Sequence, residues 1–408
     1  MFNKEAVLES AKKFDSFYLY DQSRIVEYAR QLKRDFENVE LLYSNKTNSN
    51  KRVVETVFSQ GFGSDSASLA EVMMGKNYGL PKEKIYYSAS GKSLSDIREA
   101  MDVAVIVADS INEILKIQEI AQEKGFVEEI GMRVNPDFGF YSREGVPLKF
   151  GIDEKSIFEN AELLKELKNV KIVGIHIHLS CQELKAEVLE TYYRNILNIS
   201  AEIQKKLGAE FKFVNLGSGI GTDYRQSDNP LDTVALGKAT AELVGTFKEK
   251  MPDAKIFIEL GRFIVTKCGV YVTKVLDWKQ SYGKTFVILN NTLNGFMRPS
   301  IAQLIASYSY DQNPRGCEPL FSGKDSYDFI ALNDESEQEM VTLVGNLCTS
   351  ADVIAKDILM PKLECGDVIV ITNAGSYAAV LSPMQFSSQT PPAQLFLDTY
   401  GNVTNTAE

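Results

Sequence analysis

The segment Val39-Glu-Leu-Leu-Tyr-Ser-Asn-Lys46-Thr-Asn places an amine at the end of an apolar run. Such a run reads as a buried strand of a parallel sheet. A charged amine at its end is costly to bury without a partner or a chemical task. Further strand-like runs also end in polar residues or glycine. They deliver Asp65 with Ser68, Asp109, Arg133, His178, Gly217-Ser-Gly219 and Glu259-Leu-Gly-Arg262. The set holds a nucleophilic amine, an imidazole, carboxylates and glycine-rich turns. A lysine in a partly desolvated pocket can lose its proton and form a Schiff base. Gly217-Ser-Gly-Ile-Gly221 offers backbone N–H groups to a phosphate. His176 lies two residues before His178 and points to the same face of a strand.

Strand-like runs at 39–46, 61–68, 84–89, 103–110, 129–135, 170–180, 211–218 and 255–262 position these residues. Helical spacing separates them, as in Ser93–Met101, Ile111–Lys124, Ile157–Lys168, Leu184–Leu207 and Thr233–Lys250. This rhythm predicts a (β/α)8 barrel, whose functional residues sit at the C-terminal ends of its strands. A doubly wound sheet fits less well, because no Gly-x-Gly-x-x-Gly follows the first strand. After Arg262 the pattern changes. Runs from Ile264, Lys284, Met340 and Asp367 read as strands, with few long helical patterns between them. The expected domains are a barrel over 21–265 and a mostly β domain over 266–408, joined by residues 1–20.

The chain has 408 residues, 44% of them hydrophobic and 24% charged, and a formal net charge of −11. That charge argues against nucleic acid or an anionic membrane surface as the main partner. No apolar run reaches the ~20 residues of a membrane span, and the first residues read as no signal peptide. Five widely spaced cysteines and two histidines suggest neither a disulfide framework nor a zinc site. The expectation is a cytoplasmic protein with no metal, in which Cys268, Cys317 and Cys365 are structural.

A reactive lysine, a phosphate-binding turn and a carboxylate for a heteroaromatic nitrogen are the parts that hold pyridoxal phosphate and use it as an electron sink. The motifs, in order, resemble those of the fold-type III pyridoxal-phosphate decarboxylases, the alanine-racemase-like barrel group that includes diaminopimelate and ornithine decarboxylases. Tyr43-Ser-Asn-Lys46-Thr-Asn is similar to the cofactor-lysine motif, and Gly61-Phe-Gly-Ser-Asp65-Ser-Ala-Ser68 to the second-strand motif. Met132-Arg133-Val-Asn-Pro136 and Lys149-Phe-Gly-Ile152 resemble middle-barrel signatures. Gly174-Ile-His-Ile-His178 resembles the segment whose histidine stacks on the cofactor ring. Glu259-Leu-Gly261-Arg262 differs by one residue from the family's Glu-Pro-Gly-Arg. Gly345-Asn-Leu-Cys348-Thr-Ser-Ala-Asp352 resembles the catalytic-cysteine loop, and Gly375-Ser-Tyr377 the phosphate-binding tyrosine motif.

The resemblance implies a catalytic set of Lys46, His178 and Cys348. It implies cofactor contacts from Lys46, Asp65, Arg133, His178, Gly217, Ser218, Gly219, Glu259, Gly261, Arg262 and Tyr377. It implies substrate contacts from Arg262, Arg298, Thr349, Asp352 and Tyr377, and a homodimer in which the Cys348 loop enters the other subunit's barrel. Arg298-Pro299 looks like the motif that grips a distal carboxylate in diaminopimelate decarboxylases. Thr349 stands where those enzymes carry a glutamate, and Ala302 where they carry a tyrosine. Cys181 falls where the family has a serine, and Leu381–Ala393 departs from the usual Phe-Asn ending. These departures point to a carboxylate-bearing amino acid or conjugate, with diaminopimelate itself as the alternative. A catalytically silent binding homologue and a racemase are the other readings. Intact Lys46, His178, Glu259 and Cys348 oppose the first, and Glu259 opposes the second.

Overall fold

The computed structural model describes residues 2–225, 227–308 and 319–406. Strand β1 (Phe17–Asp21) precedes a barrel formed by β2 (Glu40–Ser44), β3 (Gly63–Ser66), β4 (Ile85–Tyr87), β5 (Val105–Ala108), β6 (Glu128–Asn135), β8 (Val170–His176), β9 (Phe213–Asn215) and β10 (Lys255–Leu260). Its order is β5-β4-β3-β2-β10-β9-β8-β6, and β5 pairs with β6 to close it. All the pairs are parallel. A short strand, β7 (Ile152–Asp153), adds to β6.

Seven of the eight strands fall inside their predicted runs and are shorter, because the runs include the strand-end residues that turn into the loops; β6 instead begins one residue before its run, at Glu128. Leu42, Tyr86, Val107, Val173, Phe213 and Phe257 fill the barrel interior away from the site. Gly174 makes this possible: a Cβ there would lie 2.4 Å from the Phe213 ring.

The second sheet comprises β1, β11 (Gly269–Ser281), β12 (Lys284–Leu289), β13 (Phe329–Ala331), β14 (Gln338–Gly345), β15 (Val353–Pro361), β16 (Val368–Ile371), β17 (Ala393–Leu397) and β18 (Val403–Asn405). β1 lies between β11, antiparallel, and β17, parallel, so the N-terminal segment belongs to the C-terminal sheet.

Three expectations change. The strand expected from Ile264 begins at Gly269; Arg262–Val265 is a helical turn and Thr266–Cys268 a 3-10 turn. Thr266 Oγ1 and Cys268 Sγ donate back to the carbonyls of Arg262 and Ile264, at 2.7 and 2.8 Å, which favours the helical turns over a strand. The helix expected over 157–168 is two pieces, Glu154–Glu159 and Ala161–Lys165, broken at Asn160. A helix over Met297–Tyr308 stands among the strands of the second domain. Its apolar content is weakly segregated to one face, so no period announces it.

The two units meet at the C-terminal mouth of the barrel. Tyr377 N donates to Thr47 O at 2.8 Å, and Asn48 Nδ2 to Gly375 O at 2.8 Å. Gly375 packs so tightly that a Cβ would lie 1.6 Å from Val265 O. These contacts bring Ser376 and Tyr377 to the residues that follow β2 and β10.

Candidate active site

A cavity of about 580 Å³ opens at the C-terminal ends of the strands. Its walls include Lys46, Ser88, Arg133, Lys149, Phe150, His176, His178, Ser218, Gly219, Glu259, Gly261, Arg262 and Tyr377. The sequence-predicted set therefore converges, apart from the members noted below.

Lys46 follows β2 on a single 3-10 turn. Its Nζ donates to Asp65 Oδ2 at 2.9 Å. Asp65, fully buried, also accepts from Ser44 Oγ at 2.8 Å and Ser88 Oγ at 2.9 Å. The Lys46 side chain is 40% exposed, and it lines the cavity. Burial opposes its charge, but Asp65 and then Glu259 outweigh burial and raise its pKa above the ordinary lysine range. Asp65 both holds and aims the amine.

His176 ends β8 and His178 lies two residues beyond. His176 Nε2 is 3.1 Å from Glu259 Oε1, close enough for attraction but off the line of a hydrogen bond. Glu259 Oε1 accepts from Asn215 Nδ2 at 2.8 Å. Burial works against the Glu259 charge; His176, Lys46 and His178 more than offset it and hold the carboxyl below the usual range. His178 shows the opposite balance. Burial, aided by Lys46, Arg133 and His176, lowers its pKa to about 4 against the pull of Glu259. The site thus presents a neutral imidazole beside an ionised carboxylate. His178 Nδ1 is buried with no hydrogen-bond partner among the described residues.

Asn215 was not legible as a site residue. It ends β9, fastens Glu259, and accepts from Gly217 N at 3.0 Å. The only signal was a polar residue just before the glycine turn. Gly217 has φ +60°, and a Cβ there would lie 2.7 Å from His178 Nδ1. It lies under the imidazole, while Ser218 and Gly219 form the cavity wall. Tyr377 also has a left-handed φ, +52°, a conformation that costs a bulky residue about 1–3 kcal/mol. Its backbone bond to Thr47 and the Arg262 guanidinium 4.9 Å from its ring centroid hold it there.

Arg133 lies over the Phe150 ring at 4.5 Å and 3.8 Å from Asp109, which accepts from Gly151 N at 3.0 Å. Behind the Ser88–Ser90 wall, Lys92 is buried. Its Nζ donates to Ala89 O, Val107 O and Glu113 Oε1 at 2.6, 2.7 and 2.6 Å.

Three predicted substrate residues, Arg298, Thr349 and Asp352, and the predicted catalytic Cys348 do not line this cavity. Arg298 is 1% exposed, and its guanidinium donates to Phe321 O at 2.9 Å and Ser376 O at 3.4 Å. It stands behind Arg262, not on the wall. Asp352 is buried and accepts from Thr292 Oγ1, Leu293 N and Leu347 N. It is the fastener of the Cys348 loop. Cys348 is exposed and Thr349 half-buried on that loop, away from their own cavity. Cys268 is buried, whereas Cys365 is exposed and no structural thiol; Cys317 lies outside the described residues. Cys181 lines the cavity and accepts from Arg262 Nη2 at 3.4 Å. Among the described residues, no group of three or more His, Cys, Asp or Glu side chains is arranged for a metal ion, and no helix is long and apolar enough to cross a membrane.

Pyridoxal phosphate fits this donor set. The cavity offers an amine, an ionised carboxylate, a neutral ring with a bare Nδ1, and a glycine turn with a positive φ.

The family model "Pyridoxal-dependent decarboxylase, pyridoxal binding domain" matches residues 22–266, more than half of the chain. The chain belongs to this family of pyridoxal-phosphate-dependent amino-acid decarboxylases. It is 29% identical over 396 residues to the L-glutamyl-[BtrI acyl-carrier protein] decarboxylase of Niallia circulans, covering 94% of this chain and 89% of that protein. It is 30% identical over 374 residues to the diaminopimelate decarboxylase of Archaeoglobus fulgidus, covering 90% and 84%. The diaminopimelate decarboxylase of Helicobacter pylori, solved in complex with L-lysine, superposes with a TM-score of 0.83 at 25% identity, covering 99% and 96%. The barrel with a separate mostly β domain is the architecture expected from the sequence.

Proposed function

We propose that this enzyme removes the α-carboxylate from an amino acid, or an amino-acid conjugate, that bears a distal carboxylate and no second free amine. The observation that carries the reading is Arg262, which lines the cavity and has no carboxylate partner among the described residues, whereas Lys46 is paired with Asp65 and Arg133 with Asp109. A substrate carboxylate gives it one. The one carboxylate among the described lining residues, Glu259, already faces His176, so a second ammonium group finds no free acidic partner there. Thr349, in place of an acidic residue, supports the same reading. The Niallia relative, whose name specifies a glutamyl group on a carrier protein, supports an amino-acid conjugate as the substrate.

In this reading Lys46 holds the cofactor, Glu259 faces its ring nitrogen, and His178 packs on its ring. The Gly217–Gly219 turn, Gly261 and Tyr377 take the phosphate, with Arg133 at the side. Bound pyridoxal phosphate supplies an electron sink for the electrons left when the carboxylate departs. The protein's share is orientation and fixed charge. Asp65 orients the Lys46 nitrogen, and the ionised Glu259 favours positive charge opposite it. Arg262 faces the cavity and binds the distal carboxylate. Cys348 and Thr349 are presented away from their own cavity, which supports a homodimer in which Cys348 of the partner subunit completes each site. Four free thiols among the described residues support a reducing, cytoplasmic setting.

Diaminopimelate decarboxylation is the second reading, favoured by the Archaeoglobus and Helicobacter relatives. A mass-spectrometric screen for carbon dioxide loss decides between them. It should cover diaminopimelate, lysine, ornithine, glutamate, citryl-diaminopropionate and a glutamyl-carrier conjugate. Turnover of a substrate with a distal carboxylate and no second free amine, in preference to diaminopimelate, is expected. Efficient turnover of diaminopimelate alone would overturn the first reading.

A further inference from the structure

Arg262 and Arg298 are 4% and 1% exposed. Among the described residues neither is paired with a carboxylate; the nearby acids are engaged with other bases. Two guanidiniums buried without counter-charge are costly. Tyr224 stands where the counter-charge would be. Arg262 Nη1 donates to its hydroxyl at 3.2 Å and Arg298 Nη1 at 3.4 Å. The Arg298 guanidinium also lies over its ring, 5.5 Å from the centroid. Ser376 Oγ is 3.4 Å from the same oxygen. Arginine can only donate, so the phenol oxygen must accept from both.

We infer that Tyr224 is a positioning residue, the internal counter-ion of the Arg262–Arg298 pair, and that it releases Arg262 to an incoming substrate carboxylate. This rests on the distal-carboxylate reading above. Of the three residues, only Arg262 lines the active-site cavity. Tyr224 and Arg298 lie behind it, so the substrate reaches one guanidinium and the phenol holds the other side of it.

The electrostatics agree with the geometry. Burial raises the phenol pKa, but Arg262 and Arg298 outweigh it and bring the value down to about 7. Tyr327 and Tyr377 are the other titratable groups facing it. Beyond its backbone Asp223 is neutralised by Lys267 at 2.6 Å. Arg24, Arg225 and Asp328 share with it the wall of a second cavity of about 250 Å³. A carboxylate that takes up the Arg262 charge strips the oxygen of one of its cations. Its affinity for a proton then rises, and above the free midpoint up to one proton passes from solvent to Tyr224 Oη for each carboxylate bound.

Glutarate, a dicarboxylate without an amine, is the probe, used on the holoenzyme and on Tyr224→Phe, which keeps the ring and loses the oxygen. Near-ultraviolet difference absorbance between the two proteins cancels the cofactor. A tyrosinate titrating near pH 7 is expected, moving upward when glutarate is added. Glutarate affinity should fall about tenfold per pH unit above that midpoint in the wild type and stay flat in Tyr224→Phe. Proton uptake, read by calorimetry in two buffers of different ionisation enthalpy, needs no variant and covers the case in which Tyr224→Phe is unstable. A phenol that stays protonated up to the ordinary tyrosine range of about 10 overturns the inference. Glutarate that takes up no proton, or the same pH dependence in both proteins, does so too. Turnover of a distal-carboxylate substrate without proton uptake removes this inference alone; proton uptake without such turnover removes the substrate reading alone.

Discussion

Replacing Lys92 by methionine tests how the wall of the site is held. Lys92 and Glu113 side chains are 0% and 6% exposed, and the pair is bridged at 2.6 Å. Burial is the largest influence on both groups, lowering the lysine pKa and raising that of the glutamate, against their mutual attraction. Both directions show that desolvation exceeds the attraction, so the pair itself stabilises little. Breaking it is different, because Glu113 is left buried and uncompensated, at a cost of about 3–5 kcal/mol. At about 2 °C per kcal/mol for a unit of this size, Lys92→Met should lower the barrel's melting temperature on the order of 10 °C. Lys92→Met with Glu113→Leu should recover most of it, since a packed apolar pair avoids both desolvation terms. The sign with pH follows from Glu113. Its folded pKa is raised, so the folded state is favoured while it is protonated and loses stability as pH rises past the unfolded value of about 4.3. The single variant should therefore suffer more at about pH 8 than at about pH 5. Scanning calorimetry on the three proteins at both values is the assay. A single variant that loses less than about 1 kcal/mol, or a double variant no more stable than the single, refutes the reasoning.

Glu259→Gln keeps the shape and removes the charge. Turnover should fall on the order of 10²–10³ with cofactor affinity little changed, and unchanged turnover would remove Glu259 from the ring nitrogen. Mixed Lys46→Ala and Cys348→Ala subunits should regain up to about a quarter of wild-type activity, because half the dimers are hybrids with one intact site. No recovery after verified subunit exchange would exclude a shared site. Thr349→Glu should raise turnover of diaminopimelate relative to glutamyl substrates, as measured by kcat/KM for each. Tyrosine at position 302 is a poorer test, because Ala302 is 3% exposed and the larger ring would overpack its helix.

What the chain by itself determined was the frame and the residues at its rim. Most barrel strands are apolar runs covered on both sides, β3 (Gly63–Ser66) being the exception, and such a run must stop where polar residues begin. Lys46, Glu259 and His178 are legible because they stand at those stops. The motifs around Cys348 and Tyr377 were legible too, but not where their side chains would go. Tertiary structure decided the partners, since charge acts through space. The Lys46 proton is held by Asp65, 19 positions along the chain, and Glu259 is fastened by Asn215, 44 positions away. Arg298 read as a hand reaching for substrate. The carbonyls of Phe321 and Ser376, 23 and 78 positions away, instead hold it behind Arg262. Tyr224 carried no signal at all, because a lone tyrosine in a loop has no meaning until two arginines from distant segments converge on its oxygen. Residue type and periodicity report the local preference of the backbone and the side that is buried, whereas ionisation and orientation depend on which charges the closed barrel brings within a few ångströms.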